Sequence, residues 1–399
     1  MNETRKATLT IRFSSIILLL SSVFLILKTY RGFSGSTTQG GIWNYIQLSF
    51  VMFGLIFFFR YSRWVINCKP ILTLFFLSAY MLLTTLISVN GISITSIYNL
   101  AMTLYALNTM ILFYHYGRTN DIYKRTILLP VFFTIAIIVI YAIIQFLGST
   151  RAWTQRGAVS DVYYVLGLLP LMLIYFSEKR VLIPIITTSL AVAFSGKRAG
   201  MIAMVIMIVA YYLIVSKEKE NLKQQSKTLA KLIFVIGIII AGGIYLDNHL
   251  KLRIVERLMN LSSDGGSGRD VRWELVWKMI KSSEPLQYIF GHGGSTIATN
   301  IGGHAHNDFL EIFYEQGLIG ALLCSAFYIK LIVIDIRMIR QKYEYAAQFT
   351  TSLICSLVLS MFSFYIVDPT YVTCGMICLG MILGDYEKKI SGEYHGYSN

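Results

Sequence analysis

Apolar residues fill long, nearly uninterrupted blocks along most of the chain, and each block is about as long as a membrane-spanning helix. A helix needs about 20 mostly apolar residues to cross the hydrocarbon core of a bilayer. We predict twelve spans, at residues 13–29, 42–59, 71–89, 96–116, 126–147, 161–177, 181–194, 199–215, 232–246, 317–336, 349–366 and 370–384. The predicted fold class is therefore all-α, a polytopic membrane protein of about twelve transmembrane helices.

The composition excludes the main alternatives to this class. Hydrophobic residues make up 55% of the 399 residues and charged residues only 14%, whereas soluble domains are about 25% charged. An ordinary soluble enzyme, a disordered chain and a small secreted domain held by disulfides are all incompatible with these values.

Small residues in the predicted spans indicate close packing between helices. The five cysteines lie within spans or in one connection on the side of the termini, so we interpret them as packing residues rather than disulfide partners. Gly380 and Gly384 are four residues apart, which is a spacing that lets membrane helices approach closely.

An even number of spans places both termini on one side of the membrane, and the basic residues identify that side. The termini and the connections on their side hold 21 Lys and Arg residues, and the short connections on the opposite side hold 6 if Lys28 at the outer end of the first span is included. Basic residues collect in cytoplasmic connections, so both termini are predicted to be cytoplasmic. The net charge of +14 is thus mainly topogenic, and no nucleic-acid partner is expected.

This topology divides the chain into three parts. Residues 1–246 hold spans one to nine, residues 247–316 form one large periplasmic loop, and residues 317–399 hold spans ten to twelve and a cytoplasmic tail. Within the loop, residues 249–261 predict an amphipathic surface helix, residues 262–268 predict a break, and Arg269–Lys281 predict a second helix. Its apolar face holds Trp273, Val276, Trp277 and Ile280, and we interpret the tryptophans as interfacial anchors without a catalytic role.

A few basic residues lie on the outer side, where topology does not require them. Arg156 follows span five, Lys197 and Arg198 occupy the tight turn between spans seven and eight, and Arg269 and Arg272 begin the second loop helix. They are candidates for binding an anionic substrate, because guanidinium groups match phosphate oxygens in a bidentate fork. For Lys197 and Arg198, binding of lipid headgroups is the alternative.

His304 and His306 lie just before a predicted helix in the same loop. Asp308 and Glu311 resemble a capping box, which predicts a helix start at 308, and this helix should run to Gly317, where span ten begins. The positive end of a helix favours an anion and disfavours imidazolium, so a histidine there stays neutral and able to accept a proton.

Two other interpretations of these histidines remain open at this point. His304 and His306 could join His292 and Asp308 in a metal site, although their spacing is not characteristic of one. They could also be loop residues without chemistry. We predict no metal and no cofactor.

Three motifs resemble the bacterial O-antigen ligase/polymerase superfamily. The stretch HNDFLEIFYEQGLIG from His306 to Gly320, at the end of a large outer loop, is similar to the family's His-Asn signature. The turn SGKRAG at residues 195–200 is similar to its arginine-containing turn, and GRDVRW at residues 268–273 resembles its Gly-Arg…Trp element.

The resemblance implies a metal-independent glycosyltransferase in the cytoplasmic (inner) membrane with its active site facing outward. The implied donor is an oligosaccharide on undecaprenyl pyrophosphate, and the other partners are a glycan acceptor, membrane lipids and possible flippase and chain-length regulator proteins. The resemblance implies His306 as the base that deprotonates the acceptor hydroxyl, and Arg198 and Arg269 as the residues that act on the pyrophosphate. Further substrate-binding candidates are Arg156, Lys197, Arg272, His304 and Asn307.

Members of this superfamily either polymerise lipid-linked repeat units or ligate the finished glycan onto lipid A-core. The stretch beginning at His306 looks more like that of O-antigen and capsule polymerases, so a polymerase is predicted and a ligase is the alternative. A secondary transporter with twelve helices is an alternative of another class, but transporters usually place ionisable residues near the midplane, where this sequence has almost none.

Overall fold

The computed structural model describes residues 67–87, 109–118, 162–176, 180–195, 197–250, 259, 265–363, 366 and 369–391. Every regular element in these ranges is an α-helix, which confirms the all-α prediction for this part of the chain. The predicted spans at 13–29, 42–59 and 126–147, most of the span at 96–116, most of the predicted surface helix at 249–261 and Arg156 lie outside the described residues.

Eleven helices are numbered here in chain order within these ranges. They are α1 (Lys69–Leu86), α2 (Val162–Tyr175), α3 (Leu182–Ser195), α4 (Arg198–Glu218), α5 (Leu222–Leu250), α6 (Gly265–Lys281), α7 (Pro285–Phe290), α8 (Thr296–Ile301), α9 (Asp308–Arg340), α10 (Ala346–Phe362) and α11 (Pro369–Ile390). Residues 109–118 are also helical.

Helices occur where the described parts of the predicted spans lie. Within these parts, α1, α4, α5 and α9 are long and apolar enough to cross a membrane, and α2, α3 and α10 are shorter apolar helices. The predicted span at 181–194 contains Pro184, and α3 forms there because Pro184 is in its first turn, where a backbone N–H is not needed.

Two helices differ from their predicted extent for identifiable reasons. Helix α5 begins at Leu222, ten residues before the predicted span, because a polar stretch can continue a helix into water although hydropathy does not reveal it. Helix α9 joins the predicted loop helix to span ten, with the predicted boundary marked by Gly317 at φ 66° and ψ −170°. This backbone conformation is essentially restricted to glycine, so the helix kinks there.

The membrane helices pack around α10, which contacts α2, α4, α9 and α11. Helix α11 also lies directly against residues 109–118, because a Cβ on Gly380 or Gly384 would overlap the backbone carbonyl oxygens of Met110 and Tyr114. This confirms the predicted close approach at these glycines. All five cysteines are buried and free, as expected for packing residues.

Residues 265–316, which we call the cap and which include the first turns of α9, carry a second and smaller core. Val276 and Ile280 of α6 pack there with Ile297, Ala305 and Tyr314. The two α6 residues belong to the predicted apolar face, and their burial fixes α6 against the start of α9. The predicted break at 262–268 ends earlier than expected because α6 begins at Gly265, although Gly268 still has a left-handed φ of 75°.

Candidate active site

The backbone of His304 and Ala305 is held by side chains from two helices of the cap. The Ala305 N–H donates to Glu311 Oε1 at 2.7 Å, and the Ala305 carbonyl accepts from Trp273 Nε1 at 2.9 Å. The His304 carbonyl accepts from Arg272 Nη1 at 2.8 Å. Three consecutive polar groups of this turn are therefore fixed by α6 and α9.

Glu311 also contacts the side chain of His304. The buried carboxylate lies with Oε2 at 3.2 Å from His304 Nδ1, while the His304 side chain is 38% exposed. A carboxylate at Nδ1 orients an imidazole ring and favours the tautomer with a proton on that nitrogen.

The helix after this turn begins at 308 as predicted, but the capping assignment was wrong by one residue. The N-cap is Asn307, whose side-chain oxygen accepts from the Leu310 N–H at 3.1 Å. The Asp308 carboxylate instead accepts from the Ile366 N–H at 2.6 Å, and Glu311 reaches back to Ala305. Asn307, a predicted substrate-binding residue, therefore uses its side-chain oxygen to cap α9.

His306 has a backbone φ of 56°, which is uncommon for a residue other than glycine. In the turn that leads into it, a Cβ on Gly303 would lie 2.9 Å from Arg272 Nη1, so a larger residue would displace the guanidinium that holds the His304 carbonyl. Arg272 thus passes against Gly303 to reach the His304 carbonyl.

The surroundings of His306 lower its pKa to about 4. Burial is the largest cause, and the positive charges of Arg269, Arg272 and Lys197, with His304, act in the same direction. The imidazole is therefore neutral at pH 7. From the sequence we expected the helix dipole to keep this histidine neutral. In the structure, burial is the first cause and the neighbouring cations are the second.

The positive charges that lower the pKa of His306 belong to three predicted site residues from two helices. Arg269 and Arg272 come from the start of α6, and Lys197 is the N-cap residue of α4. Arg198 is the first residue of α4 and directly follows Lys197. Arg269 also interacts with Tyr163 at the start of α2, so it lies where the cap meets the membrane helices.

His292 and Asp308, the other members of the possible metal site, have different partners. The His292 ring stacks on Tyr314 with centroids 4.1 Å apart, and its Nε2 lies 2.8 Å from the Ser283 hydroxyl. Partial burial lowers the pKa of His292. Among the described residues, no group of three or more His, Cys, Asp or Glu side chains is placed to hold a metal ion.

Sequence reasoning missed the positions of two residues that shape this site. Trp273 was interpreted as a membrane anchor, yet its indole N–H holds Ala305. Glu311 was assigned to helix capping. Two sequence features point to these residues: Trp273 directly follows Arg272, and Glu311 lies about one helical turn after the histidines. Neither feature shows that the side chain hydrogen-bonds to Ala305.

Residues 183–325 match the sequence model of a family described as O-antigen ligase. No curated protein matches the chain. The matched segment runs from α3 to the middle of α9, so it contains Lys197, Arg198, the cap and both histidines. This match confirms the resemblance to the O-antigen ligase/polymerase superfamily noted in the sequence, over residues 183–325.

Proposed function

We propose that the protein is a membrane glycosyltransferase that polymerises undecaprenyl-pyrophosphate-linked repeat units of O-antigen, capsule or exopolysaccharide. We place its active site at the outer face of the cytoplasmic membrane. The observation that carries the proposal is the neutral imidazole of His306 among the cations Lys197, Arg269 and Arg272, inside a domain of this family.

The cations suit the pyrophosphate of a lipid-linked donor. Arg269 and Lys197 are proposed to contact its oxygens, and Arg272 can contribute guanidinium N–H groups besides the one that holds His304. Arg198 and Arg156 are further candidates for the same role. Charge of this kind stabilises a leaving pyrophosphate most where water is excluded.

In the proposed reaction, a sugar hydroxyl of the acceptor attacks the anomeric carbon of the donor sugar. The new bond forms between these two atoms while the bond from the anomeric carbon to the pyrophosphate oxygen breaks. Undecaprenyl pyrophosphate leaves with the electron pair, and His306 takes the proton of the attacking hydroxyl. The donor's negative charge opposes the effect of the cations, so donor binding raises the pKa of His306 and makes it a stronger base.

A ligase that transfers the glycan to lipid A-core is the second candidate, favoured by the description of the matched family. The polymerase is preferred because the sequence from His306 to Gly320 resembles O-antigen and capsule polymerases. The two reactions share the donor chemistry and differ only in the acceptor.

Purified protein in liposomes, supplied with lipid-linked repeat units and no core acceptor, tests the proposal. A ladder of longer lipid-linked glycans supports the polymerase, and product formed only after lipid A-core is added supports the ligase. His306→Ala should abolish either product while the protein still inserts into membranes. A fully active His306→Ala variant would refute the assignment of the base.

A further inference from the structure

Helix α7 exposes an apolar surface that is unusual for a segment outside the membrane. None of its six residues is buried, and Leu286 and Phe290 are 70% and 50% exposed. Tyr288 and Ile289 are also exposed. The rings of Tyr288 and of Trp277 on α6 both contact the Phe313 ring, so Trp277, which is exposed as well, extends the same surface. Exposed apolar patches of this kind mark a binding surface.

The contacts of α7 with α1 show how deep this surface lies. Tyr80 Oη donates to the Phe290 carbonyl at 3.2 Å, whereas Thr84 hydrogen-bonds Gln316 nearer the end of α1. Thr84 is four positions after Tyr80 on the helix, which corresponds to a rise of about 6 Å. Phe290 therefore lies closer to the middle of α1 than the contact at Gln316 does.

At and beyond the level of Tyr80, α1 is still apolar on its exposed face. Leu82, Leu83 and Leu86 lie between Tyr80 and the end of the helix, and all three are exposed. Exposed leucines on a helix that crosses a membrane face lipid. The end of α7 is thus beside a part of α1 that faces hydrocarbon, and the two apolar surfaces lie at the same level.

A close backbone crossing holds α7 at this depth. A Cβ on Gly291 would overlap the Glu315 carbonyl, and a Cβ on Gly317 would overlap the Ile289 carbonyl. The Gly293 N–H donates to the same Glu315 carbonyl at 2.8 Å. Since Gly317 is where the apolar part of α9 begins, α7 is fixed beside the point at which α9 enters the membrane.

We propose that α7 is inserted into one leaflet of the bilayer, with lipid hydrocarbon as the partner of its exposed apolar side chains. The predicted loop is then not entirely outside the membrane, because residues 285–290 return into it. If the proposed function is correct, this anchor fixes the height of the cap, and with it the cations around His306, relative to the membrane surface.

A spin label at Leu286 measures this insertion directly. Leu286→Cys is labelled in protein reconstituted in liposomes, and its collision rates with oxygen and with a water-soluble nickel chelate are compared. Leu322→Cys, at a 60% exposed position on the apolar part of α9, gives the lipid reference. Lys278→Cys, at a side chain 70% exposed on α6 of the cap, gives the water reference. The native cysteines are all buried, which limits background labelling.

We expect the label at Leu286 to be accessible to oxygen and protected from nickel, as at Leu322. Accessibility to nickel like that of Lys278 would overturn the proposal, and so would an immobilised label protected from both reagents, which indicates a protein partner. Ile289→Cys repeats the measurement if the first variant does not fold. No substrate is present, so failure here is distinguishable from failure of the proposed glycan transfer.

Discussion

Replacing Glu311 with alanine removes the buried group that holds the turn containing both histidines. The variant loses the hydrogen bond from the Ala305 N–H and the contact with His304 Nδ1. Ala305 is fully buried, so its N–H loses its hydrogen-bond partner when the carboxylate is removed. A buried donor left without a partner costs about 1–3 kcal/mol.

This cost can appear in activity as well as in stability. If the turn relaxes to satisfy the Ala305 N–H, His306 moves away from the reacting hydroxyl. One factor of ten in rate corresponds to about 1.4 kcal/mol, so we expect kcat/KM to fall by about 5- to 150-fold. Glu311→Gln retains an oxygen that can accept from Ala305, and its loss should be smaller.

Trp273→Phe tests the other side of the same turn. It removes one hydrogen bond to the Ala305 carbonyl and keeps most of the aromatic packing. A neutral hydrogen bond contributes about 1 kcal/mol, so a loss of about fivefold in kcat/KM is expected.

The assay is turnover of lipid-linked repeat units in liposomes, measured together with thermal unfolding. Glu274→Ala is the matched control, because Glu274 lies on α6 in an exposed ion pair with Lys278, and exposed pairs contribute little. A Glu311→Ala protein that is folded and as active as Glu274→Ala would refute the reasoning. A fall in kcat with an unchanged KM would locate the effect in the chemical step rather than in donor binding.

Three further predictions concern the cations and the kink. Arg269→Lys keeps the charge but loses the guanidinium fork, so the KM for the donor should rise at least several-fold; an unchanged KM would argue against bidentate binding. Gly317→Ala places a Cβ against a backbone carbonyl of α7 at a φ of 66°. The melting temperature should therefore fall by an amount equivalent to about 1–3 kcal/mol. Gly237→Ala is the control and should not lower the melting temperature, because the added Cβ meets open space. Lys197→Gln removes one cation that lowers the pKa of His306, so the acid limb of the kcat/KM profile should move to higher pH, and an unmoved limb would show that Lys197 does not act on the base.

The helical architecture could be predicted because its physical cause is local. Blocks of apolar residues specify where helices cross a membrane, and Gly317 was predicted as the boundary between the loop helix and span ten, where the structure has a kink. The start of α5 could not be found in this way, because its first turns are polar and their helical state depends on continuity with the apolar part. Hydropathy detects the buried part of such a helix but not its extension into water.

The candidate site could be predicted in its residue types but not in its connections. Lys197 and Arg269 are far apart in the sequence, and their common influence on His306 follows from tertiary packing rather than from spacing. The cap of α9 shows the same limit at short range: Asn307 and Asp308 are both good N-cap residues, and only the contact between Asp308 and Ile366 decides between them.

The arrangement links binding of the donor to the strength of the base. The cations suited to pyrophosphate are the same groups that, together with burial, hold the pKa of His306 near 4 in the free protein. A base with this pKa is a poor proton acceptor at pH 7, so an empty site has little tendency to activate a hydroxyl. Bound pyrophosphate brings negative charge to these cations and raises the pKa of His306 towards its ordinary value.

The acid limb of the kcat profile, which reports the pKa of His306 in the complex, should therefore lie at higher pH than the acid limb of the kcat/KM profile, which reports the free protein. Coincident limbs would mean that the pyrophosphate does not bind beside His306, and the proposed roles of Lys197 and Arg269 would then be wrong.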